Sequence, residues 1–180
     1  MRIRWVPVLA LMAAAPVAGQ QMQHAEHQGN HAVAGVAKLQ QQVAGWLVRS
    51  AEMMPEANYS WRPVPEVRSF GELIGHVANA QYLFCAPASG MASPSKTDFE
   101  KVTTKAELVK GIKDAMAFCE KAYQMDDARA MESVNFFGQD GTRLWVLEFN
   151  ATHNNEHYGN VVTYLRLKGL VPPSSQGNGM

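Results

Sequence analysis

The sequence predicts an all-α fold, a four-helix bundle, on three observations. Apolar residues recur at three- and four-residue spacing in four separate stretches. Two of these stretches open with a capping box, Ser69 with Glu72 and Thr104 with Glu107, in which side chains satisfy the unpaired N–H groups of a helix start. The segments between the stretches are rich in Pro, Gly and Ser and carry no helical period. With 47% hydrophobic content and no internal repeat, the chain suits one domain with one core.

The first residues, MRIRWVPVLALMAAAPVAG, have the order of a secretory signal peptide over 1–19. Arg2 and Arg4 form the basic region, Val6 to Ala15 the apolar run, and Val17, Ala18 and Gly19 the small-residue exit, with cleavage expected between Ala18 and Gln21. The run is short for a membrane span and no other stretch is apolar enough for one, so a periplasmic or secreted protein without a stable membrane anchor is expected. Residues 20–32 are polar and read as a flexible leader, in which His24, His27 and His31 offer loose metal capture or none. Without Arg2 and Arg4 the chain keeps 14 basic residues against 16 acidic, a formal charge of −2. That balance gives no footprint for nucleic acid and no polybasic membrane patch, and points to a small-molecule or metal partner.

The first helix is expected over Val33 to Met54, with Val36, Leu39, Val43, Leu47 and Met54 as its apolar stripe and Pro55 as its stop. Residues 55–68 hold three prolines with Tyr59 and Trp61, and read as a structured connection lying over the core. Ser69 opens the second helix, whose inner face is Phe70, Leu73, Ile74, Val77, Tyr82 and Phe84; His76 lies within that arc. After Ala86 a long loop is expected. Thr104 then starts the third helix, with Leu108, Ile112, Met116, Cys119 and Tyr123 facing in and Glu120 and Lys121 facing solvent. Residues 126–141 form another long connection with room for a short hairpin around Phe136 and Phe137. The fourth helix runs from Thr142 to Gly169, where Gly169, Pro172 and Pro173 end it, and 176–180 read as a disordered tail.

The fourth helix carries the chemistry. Val146, Phe149, Val161, Tyr164 and Leu165 mark its inner stripe, and His153 and His157 fall in the same stripe, four residues apart and therefore one above the other. A pair at this spacing is often a satisfied core pair. His76, a third imidazole on a second core helix, supplies what a three-histidine metal site inside a bundle requires.

The order of SFGELIGHVANAQ, long loop, helix and HNNEHYGNVVTYLRLKGLVPPSS resembles the DinB superfamily, the DinB/YfiT-like metalloproteins, over roughly 33–175. The resemblance implies a four-helix bundle of up-down-down-up order, often a homodimer, holding a divalent metal, commonly zinc or nickel, on His76, His153 and His157. It departs from the family pattern after His157, where Tyr158, Gly159 and Asn160 stand in place of the usual Arg-Gly-Gln. Some relatives are thiol-dependent transferases or isomerases; many have no assigned reaction. The implied function is that of an exported metal-dependent transferase or hydrolase activating water or a thiol, the alternative being a non-catalytic metal-binding or sensing module.

Three neutral imidazoles leave a bound metal dipositive with open positions, suited to activating water or a thiol and polarising a carbonyl. Glu156, beside His157, is the candidate catalytic base or partner of a ligand histidine, against an ordinary surface carboxylate. HNNEH also fits the H-x-x-E-H pattern of inverted zinc peptidases, which need a further carboxylate well downstream, and positions 158–180 contain no Asp or Glu. Cys85 and Cys119 lie too far apart along antiparallel neighbouring helices to be bridged. The parallel second and third helices that the resemblance implies bring them to one end, so a Cys85–Cys119 disulfide is expected, against two free thiols, and it tests that order.

Overall fold

The computed structural model describes residues 31–177. The predicted signal peptide, the leader histidines His24 and His27 and the last three residues lie outside the described residues.

The described chain is mostly helical: α1 (His31–Met53), α2 (Phe70–Ser89), α3 (Lys105–Ala122), a short α4 (Asp127–Ala130) and the long α5 (Arg143–Leu167). A two-stranded antiparallel hairpin, β1 (Ser133–Phe136) and β2 (Gln139–Thr142), precedes α5, with Phe136 opposite Gln139. The connection at 126–141 is a helical turn followed by the short hairpin for which the sequence left room around Phe136 and Phe137. Its two-residue turn puts both Phe137 (φ 51°) and Gly138 (φ 76°) in the left-handed region, the geometry that matches strand twist in a tight hairpin. Glycine adopts it freely, whereas a residue with a Cβ pays about 1–2 kcal/mol. No described helix is long and apolar enough to cross a membrane.

α1 begins at His31, two residues before the expected start. The carboxylate of Asp127, far away in sequence, accepts from the N–H groups of Ala32 (3.1 Å) and Val33 (3.0 Å) and so caps the helix. The capping box at Ser69 forms as read: Glu72 accepts from Ser69 N–H at 2.7 Å and Ser69 Oγ from Glu72 N–H at 3.3 Å. At Thr104 half of the box is present, since the hydroxyl accepts from Glu107 N–H while the Glu107 carboxylate takes the hydroxyl proton instead of the backbone one.

The expected break after Ala86 is also corrected, because α2 continues through Pro87 to Ser89 and ends on Gly90 at φ 76°. Two arginines from later elements satisfy its last carbonyls. Arg143 Nη1 donates to Ala88 O at 2.8 Å, and Arg129 Nη2 to Ser89 O at 2.7 Å. Gly90 is the local stop signal, and the two arginines add caps from a distance that no local pattern announces.

The core gathers Leu47 and Met54 with Phe70 and Ile74, Leu108 and Ile112, and Leu147 and Leu165, all fully buried. Two stripe residues are corrected. Leu39 is 58% exposed and Phe149 is 39% exposed, while their neighbours Gln40 and Asn150 are buried. A polar ladder inside the core explains the rotation. Gln81 Nε2 donates to Asn154 Oδ1 at 2.8 Å, Asn154 Nδ2 to Gln40 Oε1 at 2.8 Å, and Gln40 Nε2 to Gln81 Oε1 at 3.2 Å. One amide each from α1, α2 and α5 thereby closes a ring of bonds, so no buried amide is stranded, and the three helices are held in one mutual register. Farther along α5, Asn150 Nδ2 donates to Tyr123 Oη at 3.0 Å, which in turn donates to Leu147 O at 2.9 Å.

The connection 55–68 packs over the core as expected. Tyr59 is buried and donates to Ala51 O, and Trp61 sits edge-on to Tyr164 with Lys168 3.7 Å above its ring. The loop between α2 and α3 is fixed by a wedge. A methyl group on Gly75 would collide with the backbone of Phe99, and one on Gly111 with its ring. Only bare backbone on both helices admits Phe99 between them. Asn79 completes the dock by accepting from Phe99 N–H at 2.9 Å, which leaves the next residue, Glu100, over α2.

Candidate metal centre

His76 comes from the middle of α2, and His153 and His157 from successive turns of α5. Their packing brings the Nε2 of His153 to 3.2 Å from that of His76 and 3.0 Å from that of His157. One ring nitrogen from each of the three histidines lies within 4.8 Å of the others. His157 is 8% exposed, and the other two rings are half-buried.

Hydrogen bonding alone cannot satisfy this arrangement. His153 Nε2 carries either one proton or one lone pair, yet it faces two other ring nitrogens at contact distance. A four-coordinate ion with Zn–N distances of about 2.0–2.1 Å would hold its imidazole nitrogens roughly 3.3 Å apart, close to the observed separations. The donor set therefore fits a divalent ion. The opposite nitrogens, Nδ1 of His153 and of His157, are buried without a hydrogen-bond partner among the described residues.

The electrostatics keep His153 and His157 in the neutral form that can ligate. Burial, reinforced by His157, His76 and Arg68, pushes His153 down to about 3. Burial and then His76 hold His157 below the usual imidazole value as well. Nδ1 of His76 lies 2.8 Å from Oε1 of Glu100, whose Oε2 accepts from Arg68 Nε at 3.0 Å. Burial raises the Glu100 carboxyl, but the hydrogen bonds from His76 and Arg68 and the guanidinium charge outweigh it and hold the group below the ordinary range. An ionised Glu100 fixes the tautomer that presents Nε2 to the centre, the usual role of a carboxylate behind a ligating histidine.

The histidines predicted to meet do meet. Glu156 is exposed on α5 and acts on His157 through its charge, raising the affinity of that ring for a proton. His31 is exposed at the start of α1, away from the cluster. Glu100 and Arg68 were not anticipated, since Glu100 lies in a three-residue 3-10 turn (Phe99–Lys101) and Arg68 in a loop, where no period assigns a face. The one available signal was a carboxylate in the loop that follows the His76 helix.

The cluster opens two ways. One depression reaches His157 and Glu100 between Arg62, Arg68, Asn160 and Tyr164. The other reaches His76, His153 and Glu100 beneath Leu83, Phe84, Phe137 and Phe149. A separate groove between α1 and α3, lined by Ala37, Ala44, Val48 and Met116, offers no such cluster.

A mostly helical chain with three histidines from two core helices is what these observations define. Residues 39–161, which include all three histidines, match the family model of the DinB superfamily, and the chain belongs to that superfamily. It is similar to the uncharacterized protein YjoA of Bacillus subtilis (strain 168), 25% identical over 66% of this chain and 79% of that one. Two solved structures share the fold. A DinB-like protein from Bacillus cereus ATCC 10987 superimposes with a TM-score of 0.69 at 16% identity, covering 78% of this chain and 95% of that one. The B. subtilis DinB-like protein YjoA gives 0.61 at 23% identity, covering 79% and 98%.

Proposed function

We propose that this protein is an exported four-helix-bundle metalloprotein that binds one divalent ion, zinc or nickel, through His76, His153 and His157, and uses it as a transferase or hydrolase on a small molecule. The convergence of three Nε2 atoms on one point carries this reading. In the bundle α2 and α3 run in the same direction, giving the up-down-down-up order. Support comes from Lys105 at the start of α3, which donates to Met54 O at the end of α1, and from Arg143 at the start of α5, which donates to the end of α2. Export is supported by the leader sequence and by Cys85 and Cys119 standing within disulfide distance.

When bound, such an ion lowers the pKa of a coordinated water or thiol and polarises a carbonyl. The chain supplies the rest. Glu100 orients His76, burial keeps His153 and His157 neutral, and Arg62 and Arg68, paired with Glu72 and Glu100, line the approach to His157 with polar groups. Glu156, exposed one residue before His157, is the proposed base for a substrate proton.

Titration of metal-free protein with zinc and with nickel tests the centre: about one equivalent should bind, and the His76→Ala, His153→Ala, His157→Ala triple variant should bind none. Stoichiometric binding by the triple variant would overturn the assignment. Turnover of esters, amides or thiol adducts by loaded protein, absent in His76→Ala and reduced in Glu156→Gln, separates an enzyme from a binding module.

A further inference from the structure

Phe137 occupies a position that backbone chemistry would give to Asn or Gly. It is the first turn residue of the β1–β2 hairpin, at φ 51°, and its side chain is 64% exposed. A strained residue that contributes little to the core has its reason elsewhere, and strain of this kind gathers at ligand-binding sites. The ring lies against Phe136, with centroids 4.1 Å apart, and presents its edge to Phe84 at 6.4 Å. Phe84 in turn stands edge-on to His153 at 5.0 Å. Leu83 of α2 and Phe149 of α5, 52% and 39% exposed, border the same concavity, whose floor contains His76 and His153. Its far rim is the polar loop bearing Ser95, Lys96 and Thr97.

We propose that Phe137, Phe149 and Leu83 form an apolar subsite opening onto the histidine cluster, and that it takes the aromatic or bulky aliphatic group of a small-molecule ligand. Three exposed apolar side chains in a concavity with a polar rim suit a small ligand. They fall far short of the about 20–30 residues per side of a standard protein interface. The proposal rests on the metal-centre reading only for the polar end of that ligand, which would lie toward the histidines. Phe137 then acts as a specificity-determining residue on a short hairpin tied to α5.

The test uses anilinonaphthalene sulfonate, an aromatic anion whose fluorescence reports apolar binding, with the natively folded protein. Saturable binding is expected for the parent protein. Phe137→Asn should weaken it about tenfold, while the melting temperature stays the same or rises, because Asn relieves the left-handed turn. Leu83→Ser should weaken binding without unfolding the protein. Chelator-treated, metal-free protein should retain binding, so a failed metal centre and a failed subsite give different results. Unchanged binding in Phe137→Asn would overturn the proposal. So would a lowered melting temperature in that variant, which would make Phe137 a structural residue, or a dimer that Phe137→Asn dissociates, which would make the patch a protein interface.

Discussion

His76 Nδ1 and Glu100 Oε1 lie 2.8 Å apart although the two residues belong to different elements. The contact exists because Gly75 and Gly111 admit Phe99 between α2 and α3, and Glu100 follows Phe99. Two glycines thereby set the orientation of a histidine that neither touches through a side chain.

Glu100→Gln is expected to lower the zinc affinity of the protein by about 10- to 100-fold. The amide keeps the shape of the carboxylate but loses the charge that favours His76 and engages Arg68. Competition against a chelator of known affinity measures the change. An unaltered affinity would mean that Glu100 serves only the loop.

Much of this was legible in the sequence. The starts of α2, α3 and α5 follow local capping chemistry, and the two His153 and His157 rings follow from four-residue spacing on one helix. The misread parts depend on partners remote in sequence. Arg129 and Arg143 extend α2 past Pro87, Asp127 starts α1 early, and the Gln40–Gln81–Asn154 ring turns α1 and α5 so that Leu39 and Phe149 face outward. Glu100 belongs to the same class, because a loop carboxylate has no period to reveal what it faces.

Acid should destabilise the metal-free protein well before it protonates ordinary carboxylates. His153 falls from the ordinary 6.5 to about 3 because of burial and then the neighbouring His157, His76 and Arg68. Above the unfolded value both states are neutral and the ring has no effect. As the pH falls below about 6.5 the unfolded chain takes up a proton that the native ring refuses, so stability drops continuously toward about pH 3. Glu100, depressed in the folded state, adds a loss in the same direction at lower pH. Melting of chelator-treated protein should therefore occur at lower temperature near pH 5 than near pH 7.5, with a shallower dependence in His153→Gln. A flat profile over that interval would show that the ring is not buried neutral.

The last expectation concerns the bridge between Cys85 and Cys119, whose Cα atoms are 5.2 Å apart and which are separated by 34 positions. Cys85 lies near the end of α2 and Cys119 near the end of α3, so a bond between them requires those ends to coincide. That is the parallel arrangement proposed above; an antiparallel pair would separate the sulfurs by on the order of 20 Å. Asn150 supports the site from α5, with Nδ2 3.1 Å from Cys119 Sγ and 3.6 Å from Cys85 Sγ. Closing a loop of this length restricts the unfolded chain and stabilises the fold by roughly 3–4 kcal/mol in the chain-entropy account. The double variant Cys85→Ala, Cys119→Ala should therefore unfold at a clearly lower denaturant concentration than the parent. Thiol counting in denatured, unreduced protein made in an oxidising compartment should find none in a monomeric chain, and two free thiols there would refute both the bridge and the support it lends to export.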